Sequence, residues 1–263
     1  MMDGLGVSPQ VVINATFLLF YTMAFVVSLW VGNFLTSFYF RIPRGITLNG
    51  KKMPPMCSNC KTRLKYPDYG PLYYYLIKSK VCKVCGVKIS SMYFFIELST
   101  ALLLIANFYL NGINEGTVIS AFFIAAIILT LLINLEHNQC YQLSNTMLLF
   151  CALVRGVYLS THGEFLYDIT FSAFVGLFFS ILLGKRLPQN YRFFFIAICC
   201  GFGVVENAMI LSFVLAIYFA NKMLKIVEEK YTNAVFLACV FCLINLVFFQ
   251  NNIEPQFLYK KFI

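Results

Sequence analysis

The chain has 263 residues, of which 60% are hydrophobic and 12% are charged, and its formal net charge at pH 7 is +9. Because so few charged side chains cannot cover the surface of soluble domains of this size, the composition excludes an ordinary globular protein. It predicts instead an all-α polytopic membrane protein whose main solvent is the lipid bilayer.

Apolar runs long enough to cross about 30 Å of hydrocarbon predict at least seven transmembrane helices. In chain order these runs are Val11–Phe40, Tyr93–Leu110, Val118–Leu135, Leu143–Val154 with its continuation to Ser160, Ile169–Leu183, Phe193–Ala220 and Ala234–Phe249. Because Phe193–Ala220 is long for one helix and short for two, the expected count is seven or eight. The first run is too long for the core of a signal peptide and is expected to be a retained anchor.

The positive charge is concentrated between Arg41 and Lys88, a segment that holds 11 of the 20 Lys and Arg residues and one acidic residue, Asp68. Basic loops remain on the cytoplasmic side of a membrane, close to anionic headgroups, so we expect a cytoplasmic segment and not a nucleic-acid site. Counting helices onward places a loop at Asn134–Gln142 on the same side. The side on which the C-terminus lies stays open.

Two Cys-x-x-Cys pairs, Cys57 with Cys60 and Cys82 with Cys85, lie in this basic segment and are separated by 21 residues. Four thiolates at this spacing are typical of a tetrahedral structural zinc site with no open coordination position. The segment is too poor in apolar residues to build its own core, and metal binding contributes about 10 to 16 kcal/mol to the folding of small zinc modules. Two disulfides, or no metal at all, are the alternatives, and a reducing cytoplasm disfavours the disulfides.

The other six cysteines lie in or beside apolar runs, where small packing residues are expected. They are Cys140, Cys151, Cys199, Cys200, Cys239 and Cys242. The pair Cys239 and Cys242 has the same spacing as the metal pairs, but its place within an apolar run favours packing.

Three stretches in the N-terminal part resemble one known family. They are Gly32-Asn-Phe-Leu-Thr-Ser-Phe-Tyr-Phe-Arg41-Ile-Pro43, the tetracysteine loop with Tyr66-Pro-Asp68-Tyr-Gly-Pro71 at its centre, and Ile89-Ser90 followed by Tyr93-Phe-Phe-Ile-Glu97. In this order they are similar to the type IV prepilin peptidases, also called prepilin leader peptidase/N-methyltransferases. The third stretch lacks the Arg and the Pro of the family pattern.

The resemblance implies intramembrane aspartic proteolysis, in which two aspartates near the cytoplasmic face activate one water molecule as general base and general acid. The corresponding positions in this chain are Asn134 and Val204, the latter in the stretch Gly201-Phe-Gly203-Val204. Neither side chain can transfer a proton. The resemblance therefore implies a member of the family that has no catalytic residue at either position.

Two glutamates lie close to these positions. Glu136 and Glu206 each follow a missing aspartate by two residues, which on a helix is a rotation of about 200 degrees and points the side chain to nearly the opposite face. They are the possible substitutes if activity is retained; otherwise Glu136 belongs to a solvated loop pair with His137, and Glu206 contacts a headgroup, a helix or a partner. Glu97 fits the positive end of a helix dipole or a family-related role.

The sequence divides into a first transmembrane helix (1–40), a cytoplasmic zinc-binding loop (41–91) and a prepilin-peptidase-like helical domain (92–263). We expect a proteolytically inactive protein of the bacterial inner membrane. It would act in type IV pilus or type II secretion biogenesis, by binding a prepilin, a pseudopilin or an active peptidase. The alternatives are an enzyme that cleaves with Glu136 and Glu206, a methyltransferase that retains only the use of S-adenosylmethionine, and an unrelated transporter with a zinc knuckle.

Overall fold

The computed structural model describes residues 9–46, 57, 59–63, 81–88, 91–112, 114–137, 139–161, 174–177, 189–202, 239–240, 242–244 and 246–247. Within this part the chain is helical and contains no β-strand. The helices are α1 (Pro9–Arg41), α2 (Ser91–Asn111), α3 (Glu115–His137), α4 (Gln142–Thr161) and α5 (Gln189–Cys200).

Four of these helices, α1 to α4, are long and apolar enough to cross a membrane, which confirms the all-α membrane fold. Their bounds extend the predicted runs by a few residues at most. In lipid the backbone N–H and C=O groups of an apolar segment find no water, and a helix pairs them with one another. The predicted span Ile169–Leu183 and the C-terminal part of Phe193–Ala220 fall mainly outside the described residues.

Helix α1 is terminated by a proline and a glycine. One 3-10 turn, Ile42–Arg44, follows the helix and contains Pro43, which cannot donate a backbone hydrogen bond. Gly45 then takes a left-handed conformation with φ of +62°, and its N–H donates to the Ile42 carbonyl at 3.2 Å. The turn directs the chain out of the helix toward the tetracysteine segment.

Helices α1 and α2 approach each other closely at Gly32. A Cβ at this position would lie 2.8 Å from the Glu97 Cα, so only a glycine permits this crossing. Gly32 lies about 14 Å from the end of α1 and Glu97 about 9 Å from the start of α2, at 1.5 Å per residue. Glu97 is 3% exposed, and therefore lies inside the bundle near the end that carries the tetracysteine segment.

The turn between α2 and α3 contains a helix cap. Asn114 accepts a hydrogen bond through Oδ1 from the Thr117 backbone N–H at 2.8 Å and from the Thr117 hydroxyl at 3.0 Å. Such a side-chain acceptor satisfies an otherwise unpaired N–H of the first turn. Gly112, with φ of +70°, gives the left-handed residue that ends α2.

Two buried asparagines of α2 connect this turn to a C-terminal segment. Asn107 Nδ2 donates to the Thr117 carbonyl at 3.1 Å, and Asn111 Nδ2 donates to Asn107 Oδ1 at 2.9 Å. Asn111 Nδ2 also lies 3.3 Å from the Leu246 and Val247 carbonyls. Residues 246–247 are thereby held against the end of the bundle opposite the tetracysteine segment.

Helix α3 is the central helix of the described bundle. Its side chains are buried around most of its circumference, as expected for a helix enclosed by others. The fully buried residues with the largest side chains on α3 are Phe123, Ile124, Ile127 and Ile133.

Helices α4 and α5 run parallel. Asn145 Nδ2, near the start of α4, donates to the Asn190 carbonyl at 2.7 Å, and Arg155 Nη1, further along α4, donates to the Gly201 carbonyl after α5. The starts of α4 and α5 and the end of α3 therefore lie at the same end of the bundle as the tetracysteine segment.

Candidate functional site

The four cysteines of the two Cys-x-x-Cys pairs form one cluster. All four sulfur atoms lie within 4.8 Å of one another; the Cys57 and Cys85 sulfurs are 3.7 Å apart, and the Cys60 and Cys82 sulfurs are 3.8 Å apart. A tetrahedral zinc ion with bonds to sulfur of about 2.3 Å places its sulfur ligands about 3.8 Å apart. The cluster therefore has the size of a tetrahedral metal site, and its cysteines are not joined as disulfides.

The two halves of the cluster have the same backbone turn. In the first, the Cys57 N–H donates to the Thr62 carbonyl at 3.0 Å and the Lys61 N–H donates to the Cys57 carbonyl at 3.0 Å. In the second, the Cys82 N–H donates to the Val87 carbonyl at 2.8 Å, and the Gly86 N–H donates to the Cys82 carbonyl at 2.9 Å. The repeated turn explains why the same Cys-x-x-Cys spacing presents two sulfurs to the same point.

The left-handed position of this turn is filled differently in the two halves. Gly86 has φ of +68° and Lys61, at the equivalent place, has φ of +56°. A side chain in this conformation costs about 1 kcal/mol or more relative to glycine. The first half therefore contains a strained lysine that its surroundings must stabilise.

Hydrogen bonds shift the protonation of these thiols. The hydroxyl of Thr62 is the main cause that lowers the pKa of Cys60 to about 6, and backbone N–H groups, that of Cys85 first, lower the pKa of Cys82. Burial raises the pKa of Cys57 to about 11. Because thiolates are the metal-binding form, a cation at the centre of the cluster would also keep Cys57 deprotonated.

A second polar site lies where α3 ends. Asn134 is completely buried, and its Nδ2 donates to the hydroxyl oxygen of Tyr191 at 3.3 Å and to the Cys140 sulfur at 3.4 Å. The Oδ1 of Asn134 is buried and has no hydrogen-bond partner among the described residues. Burial raises the pKa of Cys140 to about 12, so this thiol stays neutral. Asn134 thus acts as a hydrogen-bond donor between α3, α5 and the loop that precedes α4.

The prediction that a loop begins at Asn134 is wrong, because α3 continues to His137. No glycine or proline interrupts this stretch, and a histidine in the last turn is favourable at the negative end of a helix. Glu136 therefore shares a helix with Asn134, and the two side chains differ in burial: Glu136 is exposed while Asn134 is buried. In this structure Glu136 does not occupy the place of the Asn134 side chain.

The position of the second expected aspartate, Val204, lies outside the described residues, and so does Glu206. The described chain reaches Gly201 and Phe202, which form the turn after α5. Phe202 is buried, and its ring centroid lies 5.5 Å from that of Phe123 on α3.

The sequence analysis missed one charged residue. Arg155 is 2% exposed and lies within α4, where its guanidinium reaches both α3 and the turn after α5. The signal was present in the sequence, because a charged residue inside a transmembrane run suggests a functional role by default.

The six cysteines outside the cluster form no disulfide within the part of the chain that the structure describes. Cys239 and Cys242 are completely buried. This burial agrees with the predicted packing role of the third Cys-x-x-Cys pair.

The fold and the cysteine cluster together define a polytopic helical membrane protein with four cysteines placed so that they could hold a metal ion. Residues 26–110 match the family model described as Bacterial Peptidase A24 N-terminal domain. This range contains the end of α1, the whole tetracysteine segment and nearly all of α2.

The chain is also similar to the prepilin leader peptidase/N-methyltransferase of Vibrio cholerae serotype O1 (strain ATCC 39315 / El Tor Inaba N16961). The two are 32% identical over 92 residues, which cover 33% of this chain and 36% of the relative. The similarity thus spans about a third of the length of that relative. No solved structure matches the chain significantly.

Both findings confirm the resemblance to the prepilin peptidase family. The family-model match ends at residue 110, before Asn134 and Val204. The correspondence of these two positions with catalytic aspartates therefore depends on the sequence motifs alone.

Proposed function

We propose that this chain is a prepilin-peptidase-like protein of the bacterial inner membrane that has lost proteolytic activity. It acts in type IV pilus or type II secretion biogenesis by binding a prepilin, a pseudopilin or an active prepilin peptidase. The binding element is the tetracysteine module, held by a structural zinc ion on Cys57, Cys60, Cys82 and Cys85 and located on the cytoplasmic side.

The state of Asn134 is the observation that carries the proposed inactivity. A general base must accept a proton, whereas an amide cannot ionise, and the Asn134 amide nitrogen donates to Tyr191 and Cys140. Each positioned acid or base group contributes about 100-fold to 10,000-fold to such a reaction. Replacing both aspartates would therefore leave little activity.

The geometry of the cysteine cluster supports the retained binding role. Its four sulfurs have the spacing of a closed tetrahedral site, in which the metal has no open position for water. Such an ion supplies folding free energy and no catalysis. The position of the cluster in the most basic segment supports its assignment to the cytoplasmic side.

The test is a cleavage assay in bacterial cells that lack their own prepilin peptidase. The chain is expressed with a prepilin, and removal of the leader is followed as a mobility shift, with an active prepilin peptidase as the positive control. We expect no cleavage. Leader removal that is abolished by Glu136→Ala or Glu206→Ala would overturn the proposal and assign those carboxylates as substitutes.

The binding part has a separate test. Photo-crosslinking from the tetracysteine segment should capture the prepilin or a co-expressed active peptidase, and the Cys57→Ser/Cys60→Ser variant should lose the product. A chain that captures neither partner would contradict the proposed partners. A separate assay tests the methyltransferase alternative: the purified chain is mixed with S-adenosylmethionine and a pilin whose leader has already been removed, and methylation of the free N-terminal amine, detected by mass spectrometry, would support it.

A further inference from the structure

Arg155 is a buried cation in a membrane-spanning helix and contacts two other helical elements. Its Nε donates to the Ser120 hydroxyl of α3 at 3.3 Å, and its Nη1 donates to the Gly201 carbonyl. The guanidinium carbon lies 5.4 Å from the centroid of the Phe202 ring. At 1.5 Å per residue, Arg155 lies about 20 Å from the start of α4, well inside the bundle.

Helix α5 ends at the depth of this arginine. Its 12 residues span about 18 Å, whereas the hydrocarbon core is about 30 Å thick. The last four carbonyls of a helix have no partner within it, and in lipid each unpaired carbonyl costs several kcal/mol. At this end the Gly201 and Phe202 N–H groups donate to the Ile198 and Cys199 carbonyls at 3.0 and 3.2 Å, and the carbonyl of Gly201 itself is bound by Arg155.

We propose that Arg155 is the positioning residue that stabilises the end of α5 inside the bundle. Its rigid fork of N–H groups reaches Ser120 and the Gly201 carbonyl together, and its charge is favourable at the negative end of the helix dipole. This role goes beyond the proposed partner binding and is independent of it. It fixes the turn at Gly201, where the family resemblance places the start of the second catalytic motif.

The turn is fixed from a second direction by packing. A Cβ at Gly201 would overlap the Phe123 Cζ, so the backbone of the turn rests directly on a buried aromatic ring of α3. The ring blocks one side, and the guanidinium binds the carbonyl. Packing alone therefore predicts that the aliphatic bulk of Arg155 is sufficient, whereas the proposed role requires its N–H donors.

Two natural cysteines report on the end of α5. Cys199 and Cys200 are 3% and 4% exposed, while Cys239 and Cys242 are completely buried elsewhere in the core. Alkylation of the full-length protein in membranes with N-ethylmaleimide, mapped by mass spectrometry, measures local opening at each site. The variants are Arg155→Met, which keeps an aliphatic side chain but removes the N–H donors, and Arg155→Lys, which keeps the positive charge but removes the planar guanidinium.

We expect Arg155→Met to raise the alkylation rate of Cys199 and Cys200 by about tenfold to a hundredfold, as the loss of a hydrogen bond to a charged group implies. Cys239 and Cys242 should change little, and Arg155→Lys should lie between wild type and Arg155→Met. Ser120→Ala should give a smaller increase at the same two sites. Thr130→Ala, which removes another buried hydroxyl from α3, is the matched control and should give none.

Two results would overturn the proposal. One is an unchanged rate at Cys199 and Cys200 in Arg155→Met, which would show that aliphatic packing is sufficient. The other is an equal increase at all four cysteines, which would show a general loss of folding and no specific role at the end of α5. Ser120→Ala probes the same contact in a chain that keeps the arginine, so it decides the question if Arg155→Met does not fold. A rate in Ser120→Ala equal to that in the control would then count against the proposal.

Discussion

Substitution of Gly32 by alanine should separate α1 from α2. The new Cβ would lie 2.8 Å from the Glu97 Cα and 3.2 Å from the Glu97 carbonyl oxygen, whereas ordinary contacts begin at 3.4 Å. The nearest atom is backbone, so no rotation of a side chain relieves the overlap, and the helices must move apart by 3.4 − 2.8 = 0.6 Å. Overpacking of this kind costs about 1 to 3 kcal/mol.

Part of this cost is offset because alanine has a higher helix propensity than glycine, by about 1 kcal/mol. The net loss should therefore be small for Gly32→Ala and much larger for Gly32→Leu, which cannot fit at all. The measurement is thermal unfolding in detergent micelles, followed by circular dichroism. Val27→Leu, on an exposed face of the same helix, is the control and should unfold like wild type. A Gly32→Leu variant as stable as wild type would refute the close crossing.

Three further predictions concern the metal module and the asparagine pair. Purified protein should contain about one zinc ion per chain, and Cys57→Ser/Cys60→Ser should contain almost none; a metal-free wild-type protein in elemental analysis would contradict the site. Lys61→Gly should stabilise the module by about 0.5 to 1 kcal/mol, and Gly86→Ala should destabilise it. The measurement is the rate at which a chelator removes zinc, which should be slower than wild type in Lys61→Gly and faster in Gly86→Ala. Equal rates in the two variants would contradict the equivalence of the two turns. Asn111→Leu should lower the free energy of unfolding by about 1 to 3 kcal/mol in detergent, and an unchanged value would show that the contacts to residues 246–247 contribute nothing.

The sequence predicted α1 to α4 to within a few residues because their evidence is local. An apolar run longer than the membrane is thick has few alternatives to a helix. The cysteine cluster was also predictable, since two Cys-x-x-Cys turns each present two soft ligands by local geometry, and the sulfurs of Cys57 and Cys85 lie 3.7 Å apart. In both cases the chemistry of a short stretch dictates the result.

Contacts between residues distant in sequence could not be predicted in this way. Asn134 and Tyr191 are 57 residues apart, and Asn111 and Leu246 are 135 residues apart. No local pattern indicates that these groups meet. In the sequence a buried asparagine is only a polar residue within an apolar run, and nothing indicates its partner. Whether the run Phe193–Ala220 forms one helix or two was left open for the same reason, because the end of α5 at Cys200 depends in part on a donor from α4.

The parallel arrangement of α4 and α5 has a consequence for biosynthesis. Arg155 and Gly201 are separated by 46 residues, so the arginine leaves the ribosome well before the carbonyl that it binds. At about 5 to 20 residues per second, this delay is roughly 2 to 9 seconds. An arginine at the centre of an inserting helix costs about 2.5 to 3.5 kcal/mol, which the apolar residues of α4 must offset until its later partner is synthesised.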